Sequence, residues 1–364
     1  MKIMAAVIPA TGKPFQVEEL DLEEPRSDEI LVRIVGAGMC HTDLSMRDRI
    51  PFSRPAVLGH EGAGGVEKIG ADVVKIRPGD HVVVSYNSCG RCDKCLRGYP
   101  GYCQDSRKLN FGGVRSDGSS PLSKDGAPLF GTFFNQSSFA SYALASERNA
   151  VKVPKDVPLK ILGPLGCGVQ TGAGTVLNAL RVQAGTSIAV FGTGGVGLSA
   201  IMAAVVAGCI TIIGVDIIPR RLELALELGA THVINAAEKN SVEEIQGITG
   251  TGVNYSIDTT GVPAVYRQAI ESLDLLGVCA LVGGCPEGRE VSLEMRSIFL
   301  GRSTRGVIEG DSIPQIFIPQ MIELYKQNRF PFDKLIKFYP IEAINKAAED
   351  SCKGITVKPV LQFK

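Results

Sequence analysis

With 364 residues, 45% of them hydrophobic and 21% charged, the chain has the composition of a globular protein with room for about two domains, each burying its own core. Lys plus Arg and Asp plus Glu both number 38, a balance that speaks against a nucleic-acid or anionic-membrane surface. The N-terminal stretch MKIMAAVIPATGKPF has an apolar run that stops at Pro9, and it reads as a first strand and not as a signal peptide. A cytoplasmic, reducing setting is expected for the ten cysteines, where their spacing signals metal binding or catalysis more than disulfides.

Residues 1 to about 150 consist of strand-like pieces broken by glycine and proline, among them MAAVI, EILVRIVGAG, AGGVEKIG, GDHVVVSY and SFASYALA. This predicts an antiparallel, barrel-like β domain. Within it, Cys89, Cys92, Cys95 and Cys103 stand at C-x2-C-x2-C-x7-C spacing. Four thiolates this close can complete a tetrahedral zinc shell without help from the rest of the fold, and a full shell leaves no position for substrate. The site reads as structural. Residues 104–135, polar and glycine-rich, read as a long surface excursion. From Leu159 to Leu180 the pattern turns helical around GPLGCGVQTGAG.

Ser187–Phe191 is short, apolar and uncharged, as a buried strand should be. Gly192, Gly194 and Gly197 follow at G-x-G-x-x-G spacing, with Gly195 and Val196 between the last two. A helical run from Leu198 to Ala207 stops at Gly208, and a second strand, Ile210–Val215, ends on Asp216. Strand, glycine turn, helix, strand and acid in that order predict a dinucleotide site. The first glycine permits the tight turn, the second lets backbone approach a pyrophosphate, and the third lets helix and strand pack closely. The helix N-terminus offers free N–H groups to the phosphates, and Asp216 is placed to accept from the adenosine ribose. The uncharged stretch Val182–Val215 raises a membrane span as the competing reading; five glycines between 192 and 208 and the mixed remainder of the chain argue against it. HVIN, VNYSID and GVCALVGG read as further strands, and Arg220–Leu228 as a helix started by Pro219, so a doubly wound parallel sheet is predicted over 169–308. The tail 309–364 is expected to return to the first domain, 1–168, with ITVKPVLQF as a strand.

Cys40 in GMCHTD, His60 and Glu61 in GHE, and Cys167 in GCG are far apart in sequence. Spacing alone says little about them, since a small buried cysteine is more often core than ligand. His81 and His232 read as strand residues with no metal role. Taken together, however, the whole chain resembles the zinc-dependent medium-chain alcohol dehydrogenases. The resemblance is carried by Cys40-His41-Thr42-Asp43, by Gly59-His60-Glu61-Gly62 through Gly70, by the four-cysteine lobe, by Gly166-Cys167-Gly168 with Thr171, and by the nucleotide turn. The likeness is greatest to the aryl (benzyl) alcohol dehydrogenase branch.

The resemblance implies a barrel-like GroES-like catalytic domain, a Rossmann domain, NAD, and two zinc ions per chain, one catalytic and one structural. It implies that Cys40, His60 and Cys167 hold the catalytic ion; two thiolates and one imidazole are the family's own donor set and not a deduction from spacing. Asp43 would accept the His60 N–H, Glu61 would sit behind the ion, and Thr42 would carry off the substrate proton. His41 and Lys358 would lie near the pyrophosphate and Arg221 beside the ribose, while Thr171, Val282 and Gly284 would border the nicotinamide. Many relatives carry a second histidine where this chain has Ser45, so Ser45 with water, or His41, is expected to finish proton release.

The expected reaction is reversible oxidation of a primary aryl or allylic alcohol to its aldehyde, with small-molecule partners only, no nucleic acid and no membrane, in a homodimer or homotetramer. Tyr86 and residues 104–135 are candidates to shape the pocket. An S-(hydroxymethyl)glutathione (formaldehyde) dehydrogenase is the alternative inside the family. A polyol dehydrogenase fits less well, because Gly163 and not Glu precedes Pro164-Leu165. Outside the family, a zinc ribbon binding nucleic acid conflicts with the zero net charge, and a purely structural nucleotide-binding protein with the intact Cys40, His60 and Cys167 set.

Overall fold

The structure is a computed structural model that describes residues 1–49 and 52–363; counts and absences below refer to those residues. The first strands, β1 (Lys2–Ile8) and β2 (Gln16–Leu22), pair antiparallel. The long strand β3 (Glu29–Gly38) follows and leads into the helix α1 (His41–Arg49). After it come β4 (Ala56–Val57), β5 (Glu61–Ile69) and β6 (His81–Val84), then the short helices α2 (Asp93–Leu96) and α3 (Ser106–Phe111). The strands β7 (Leu122–Lys124), β8 (Ala127–Pro128), β9 (Tyr142–Ser146) and β10 (Ala150–Val153) complete this region. One sheet runs β4-β1-β2-β7-β8.

β3 explains why its sequence is nearly all apolar. Successive side chains point to opposite faces of a strand, and here both faces are covered. Ile30, Val32 and Ile34 enter one core with Phe133 and Phe139, whereas Leu31 enters a second core with Ile3, Leu20 and Val57.

The region 104–135 departs from its expected character. It carries α3, β7 and β8, and buries Leu122, Leu129, Phe133 and Phe134. Its glycines do mark turns, but the apolar residues between them are pinned into the two cores.

Helix α4 (Gly168–Gly174) precedes a second set of elements: β11 (Ser187–Phe191), α5 (Gly195–Ala207), β12 (Thr211–Asp216), α6 (Pro219–Glu227) and β13 (His232–Asn235). β14 (Val253–Asp258), β15 (Leu273–Leu281) and β16 (Ser303–Gly306) extend it. Their six strands are all parallel, in the order β13-β12-β11-β14-β15-β16. Strand order reverses beside β11, the place where open α/β sheets bind their ligands. Helix α5 starts at Gly195, earlier than its apolar run suggested, and Gly208 ends it with a left-handed φ of 83°. Burial of Leu198 through Ala204 accounts for the missing charges in this stretch. No helix among the described residues is long and apolar enough to cross a membrane.

The chain ends in β17 (Ile336–Pro340) and β18 (Lys358–Gln362), which lie parallel, with β18 antiparallel to β3. They complete a sheet ordered β10-β6-β5-β3-β18-β17, with β9 also on β3. Only this part of ITVKPVLQF is a strand, because the N–H groups of Ile355 and Thr356 go instead to the carbonyl of Asp350. Two compact units result: Met1–Cys167 with Ile313–Glu323 and Asp333–Lys364, and Gly168–Ser312 with Leu324–Phe332.

Candidate active site

Three segments of the first unit bring metal-binding side chains together. Cys40 lies between β3 and α1, His60 precedes β5, Glu61 opens β5, and Cys167 immediately precedes α4. One ligand atom of each lies within 4.8 Å of the others. His60 and Glu61 are fully buried and Cys167 nearly so.

Asp43 organises this cluster. Its carboxylate is buried and accepts from the N–H of Cys40 at 2.9 Å, the N–H of Gly59 at 3.0 Å and His60 Nδ1 at 3.0 Å. Donation from Nδ1–H fixes the tautomer that leaves the Nε2 lone pair available. Nε2 is buried and has no hydrogen-bond partner among the described residues. An orphaned buried imidazole nitrogen between two thiols is a donor set that fits zinc. The Cys40 thiol is drawn well below its ordinary range, first by hydrogen bonding from Cys167 and further by His60 and Lys358, despite burial. This favours the thiolate that a metal needs. Burial pushes His60 down, but the charge and hydrogen bond of Asp43, with Cys40 beyond, hold it well above its usual value.

Glu61 sits behind this set, gripped by Lys358. The ammonium donates to both carboxylate oxygens, at 2.8 and 2.9 Å, and to the Met39 carbonyl at 3.3 Å. Burial works against the charged lysine, but Glu61 and then Cys40 outweigh it and raise its pKa. Lys358 therefore needs correcting. It is 4% exposed and its charge is committed to Glu61, so it is not free for a pyrophosphate.

Thr42 is half-buried, with Oγ1 3.8 Å from Cys40 Sγ. Ser45 lies three residues after Thr42 and four after His41 on α1, spacings that put all three on neighbouring positions of one helix face. His41 is exposed and Ser45 half-buried, so the face runs from the buried cluster towards solvent.

In the lobe, one Sγ each of Cys89, Cys92, Cys95 and Cys103 also lies within 4.8 Å of the rest. Cys103 Sγ accepts the Cys89 N–H at 3.2 Å, and Cys89 Sγ accepts that of Cys92 at 3.3 Å. Backbone N–H groups from Gln104 and Cys95 lower the Cys92 thiol to about 6, while burial pushes Cys103 up to about 12. Donors aimed at sulfur from a short loop are what a closed thiolate shell requires. No carboxylate or imidazole belongs to this group.

The nucleotide turn lies in the second unit. Gly192 adopts φ 87°, and a Cβ on Gly197 would stand 1.9 Å from the Gly192 carbonyl oxygen. Only glycine allows α5 to approach β11 so closely. Asp216, at the end of β12, is already fully engaged. Oδ2 accepts from Thr193 N at 2.7 Å and Thr193 Oγ1 at 3.0 Å, and Oδ1 from the N–H groups of Ile217 and Ile218 at 2.8 and 3.0 Å. Its four acceptor positions are thus filled, which corrects the expectation of a carboxylate free for ribose. Only the Thr193 hydroxyl can turn away to release one. Arg221 Nη1 is 3.9 Å from Asp216. Thr171 on α4 donates to Glu309 Oε2 at 3.3 Å, and Gln170 Nε2 donates to the same oxygen at 3.2 Å. Val282 follows β15 directly and donates to the Asp258 carbonyl at 2.8 Å, with Gly284 two residues on.

Sequence reading missed Thr193, Glu309 and the aromatic wall of the metal cluster. Phe134 stacks on the His60 ring at 4.5 Å and Phe133 meets it edge-on at 5.4 Å. The recurrence of phenylalanine at 130, 133 and 134 was the available signal that residues 104–135 return to the core.

Residues 26–155 match the family described as alcohol dehydrogenase GroES-like domain, and residues 195–327 the one described as zinc-binding dehydrogenase. A geraniol dehydrogenase from Castellaniella defragrans is 45% identical over 362 residues, 99% of this chain and 97% of the relative. Among solved structures, a benzyl alcohol dehydrogenase from Acinetobacter calcoaceticus is 48% identical with a TM-score of 0.97, covering 100% of both chains. An alcohol dehydrogenase zinc-binding domain protein from Burkholderia ambifaria is 53% identical with a TM-score of 0.98, covering 100% of this chain and 99% of the other.

Proposed function

The chain belongs to the zinc-binding alcohol dehydrogenase family, and from that premise we propose that it oxidises primary aryl or allylic alcohols reversibly to aldehydes with NAD. The observation that carries this reading is the Cys40, His60 and Cys167 donor set, with His60 and Cys167 buried and the imidazole tautomer set by Asp43. A zinc ion held by these three supplies Lewis acidity that lowers the pKa of the alcohol. Thr42 takes the hydroxyl proton and passes it along α1 towards Ser45, His41 and water. NAD, held at the glycine turn, would supply the two-electron acceptor for the hydride that the alcohol carbon loses. Glu61 with Lys358 supplies a fixed, internally neutral backing to the donors. Cys89, Cys92, Cys95 and Cys103 hold a second, structural zinc.

Asp216 would disfavour a 2′-phosphate, which favours NAD over NADP. Gly192, Gly194, Gly195, Val196 and Gly197 form the pyrophosphate turn, with Arg221 beside the ribose and Thr171, Val282 and Gly284 at the nicotinamide. Met1–Cys167 with Ile313–Glu323 and Asp333–Lys364 carry the metal chemistry, and Gly168–Ser312 with Leu324–Phe332 the cofactor, so the expected return of all of 309–364 to the first domain is corrected at 309–312 and 324–332. The substrate class rests on the relatives named for geraniol and benzyl alcohol, and on the phenylalanines at His60. We place the enzyme in the cytoplasm as a homo-oligomer, dimer or tetramer. Support for assembly comes from β16, an edge strand exposed along its whole length, with Phe299 and Leu276 nearby at 85% and 77% exposure.

A panel of benzyl alcohol, geraniol, ethanol and S-(hydroxymethyl)glutathione with NAD tests the reading through absorbance of the reduced cofactor. Higher kcat/KM for the first two is expected, because a buried ring or allylic chain adds apolar contact at the transition state. A decisive preference for ethanol or for the glutathione conjugate would overturn the substrate class.

A further inference from the structure

Phe134, Asn135 and Ser137 have φ of 50°, 53° and 48°, three left-handed non-glycine residues within four positions. Such backbone persists only where its surroundings over-determine it, and it concentrates at functional sites. The surroundings here are a buried polar network centred on Gln136, which is 2% exposed.

The Gln136 carboxamide reaches both sides of the metal cluster. Oε1 accepts from the Gly62 N–H at 3.0 Å, while Nε2 donates to the His60 carbonyl at 3.0 Å and to those of Val84 and Ser85 at 3.3 Å each. Ser85, itself buried, donates from Oγ to the Gly166 carbonyl at 2.6 Å. A continuous path therefore joins the main chain of His60 to the residue preceding Cys167. Buried Asn149 locks the path from behind, donating to the carbonyls of Ser85 and Phe134 at 3.1 Å. The second carbonyl belongs to the residue whose ring stacks on His60. Gly62 is part of the same device: a Cβ there would stand 2.7 Å from Ser138 Cβ and 3.0 Å from Gln136 Oε1.

We propose that Gln136, with Ser85, is a positioning residue that sets the spacing of the His60 and Cys167 ligands. Nothing in the reaction needs either side chain at the substrate. Their value is geometric, because the two ligands come from segments that are distant in sequence, and a donor set tuned for one ion loses affinity when one member drifts. The amide suits the task because it presents an acceptor to an N–H and donors to carbonyls at one rigid plane. This inference rests on the functional reading above.

The test is release of metal to a chelator from the zinc protein, read as two phases, together with the visible spectrum after Co2+ replaces the faster-leaving ion. Outer hydrogen-bond partners of metal ligands typically contribute about 10–100-fold to affinity. Gln136→Met should accelerate the faster phase by about that factor and shift the Co2+ bands, with the four-cysteine phase unchanged. Gln136→Glu keeps the acceptor for Gly62 but turns an oxygen on the three carbonyls, and should accelerate the same phase at least as much. Should Gln136→Met fail to fold, Ser85→Ala deletes a single oxygen and should move the same phase in the same direction. Folded variants with the wild-type faster phase and wild-type Co2+ spectrum overturn the proposal alone. Wild-type protein that binds only one metal would overturn it together with the functional reading.

Discussion

The proposed proton path starts at Thr42, with Ser45 three residues on along α1. Thr42→Ala should lower turnover by orders of magnitude with zinc content unchanged, because it removes the hydroxyl that stands 3.8 Å from Cys40 Sγ, and Thr42→Ser should stay active. Wild-type turnover in Thr42→Ala would place the proton path elsewhere. The Glu61–Lys358 pair makes a thermodynamic prediction. Lys358→Met leaves a buried carboxylate beside the Cys40 thiolate with no counter-charge, and should cost about 3–5 kcal/mol in denaturant unfolding. The double variant Glu61→Gln, Lys358→Met should recover most of that loss. An indifferent single variant would mean that Glu61 is already protonated in the native protein. On the proposed reading Asp216 governs cofactor choice. A 2′-phosphate about 4 Å from its carboxylate meets roughly 4 kcal/mol of repulsion at an effective ε near 20, softened by Arg220 and Arg221. Asp216→Ser should therefore narrow or reverse the ratio of kcat/KM for NAD over NADP. A wild-type enzyme that favours NADP would show that the carboxylate faces away from the ribose.

The elements differ in how openly the sequence declares them. The four-cysteine lobe was legible because all its ligands sit in one short loop, where spacing is geometry. Cys103→Ser should remove one of four thiolates and lower the melting temperature, while alcohol oxidation persists in the folded fraction; an unchanged melting temperature and zinc content would count against a structural ion. β11, α5 and β12 were legible because periodicity, glycines and the closing acid agree. Cys40, His60 and Cys167 gave no signal by spacing, since three separate segments bring them together, and only likeness to a family linked them. The polar network of Ser85, Gln136 and Asn149 was invisible for a further reason. A buried amide looks like a surface one until its carbonyl partners are known, and those lie tens of residues away. The left-handed Phe134 likewise follows from tertiary contacts and not from local preference.

At the scale of the molecule, each unit contributes chemistry the other lacks: the first carries both metal-binding clusters, and the second the dinucleotide turn with its acid. Lys358 shows how the C-terminal strand β18 enters the first unit's site, since its charge completes Glu61 from across β3. On the proposed function, alcohol oxidation depends on a zinc ion at Cys40, His60 and Cys167 in addition to the one in the lobe. The most direct test is zinc counted per chain by mass spectrometry while a chelator removes the more labile ion, with benzyl alcohol oxidation by NAD followed in the same samples. Two zinc ions per chain at the outset, and activity that falls in proportion as the first leaves and returns when zinc is restored, are the predicted results. Full activity in protein that holds one zinc or fewer per chain would contradict the account.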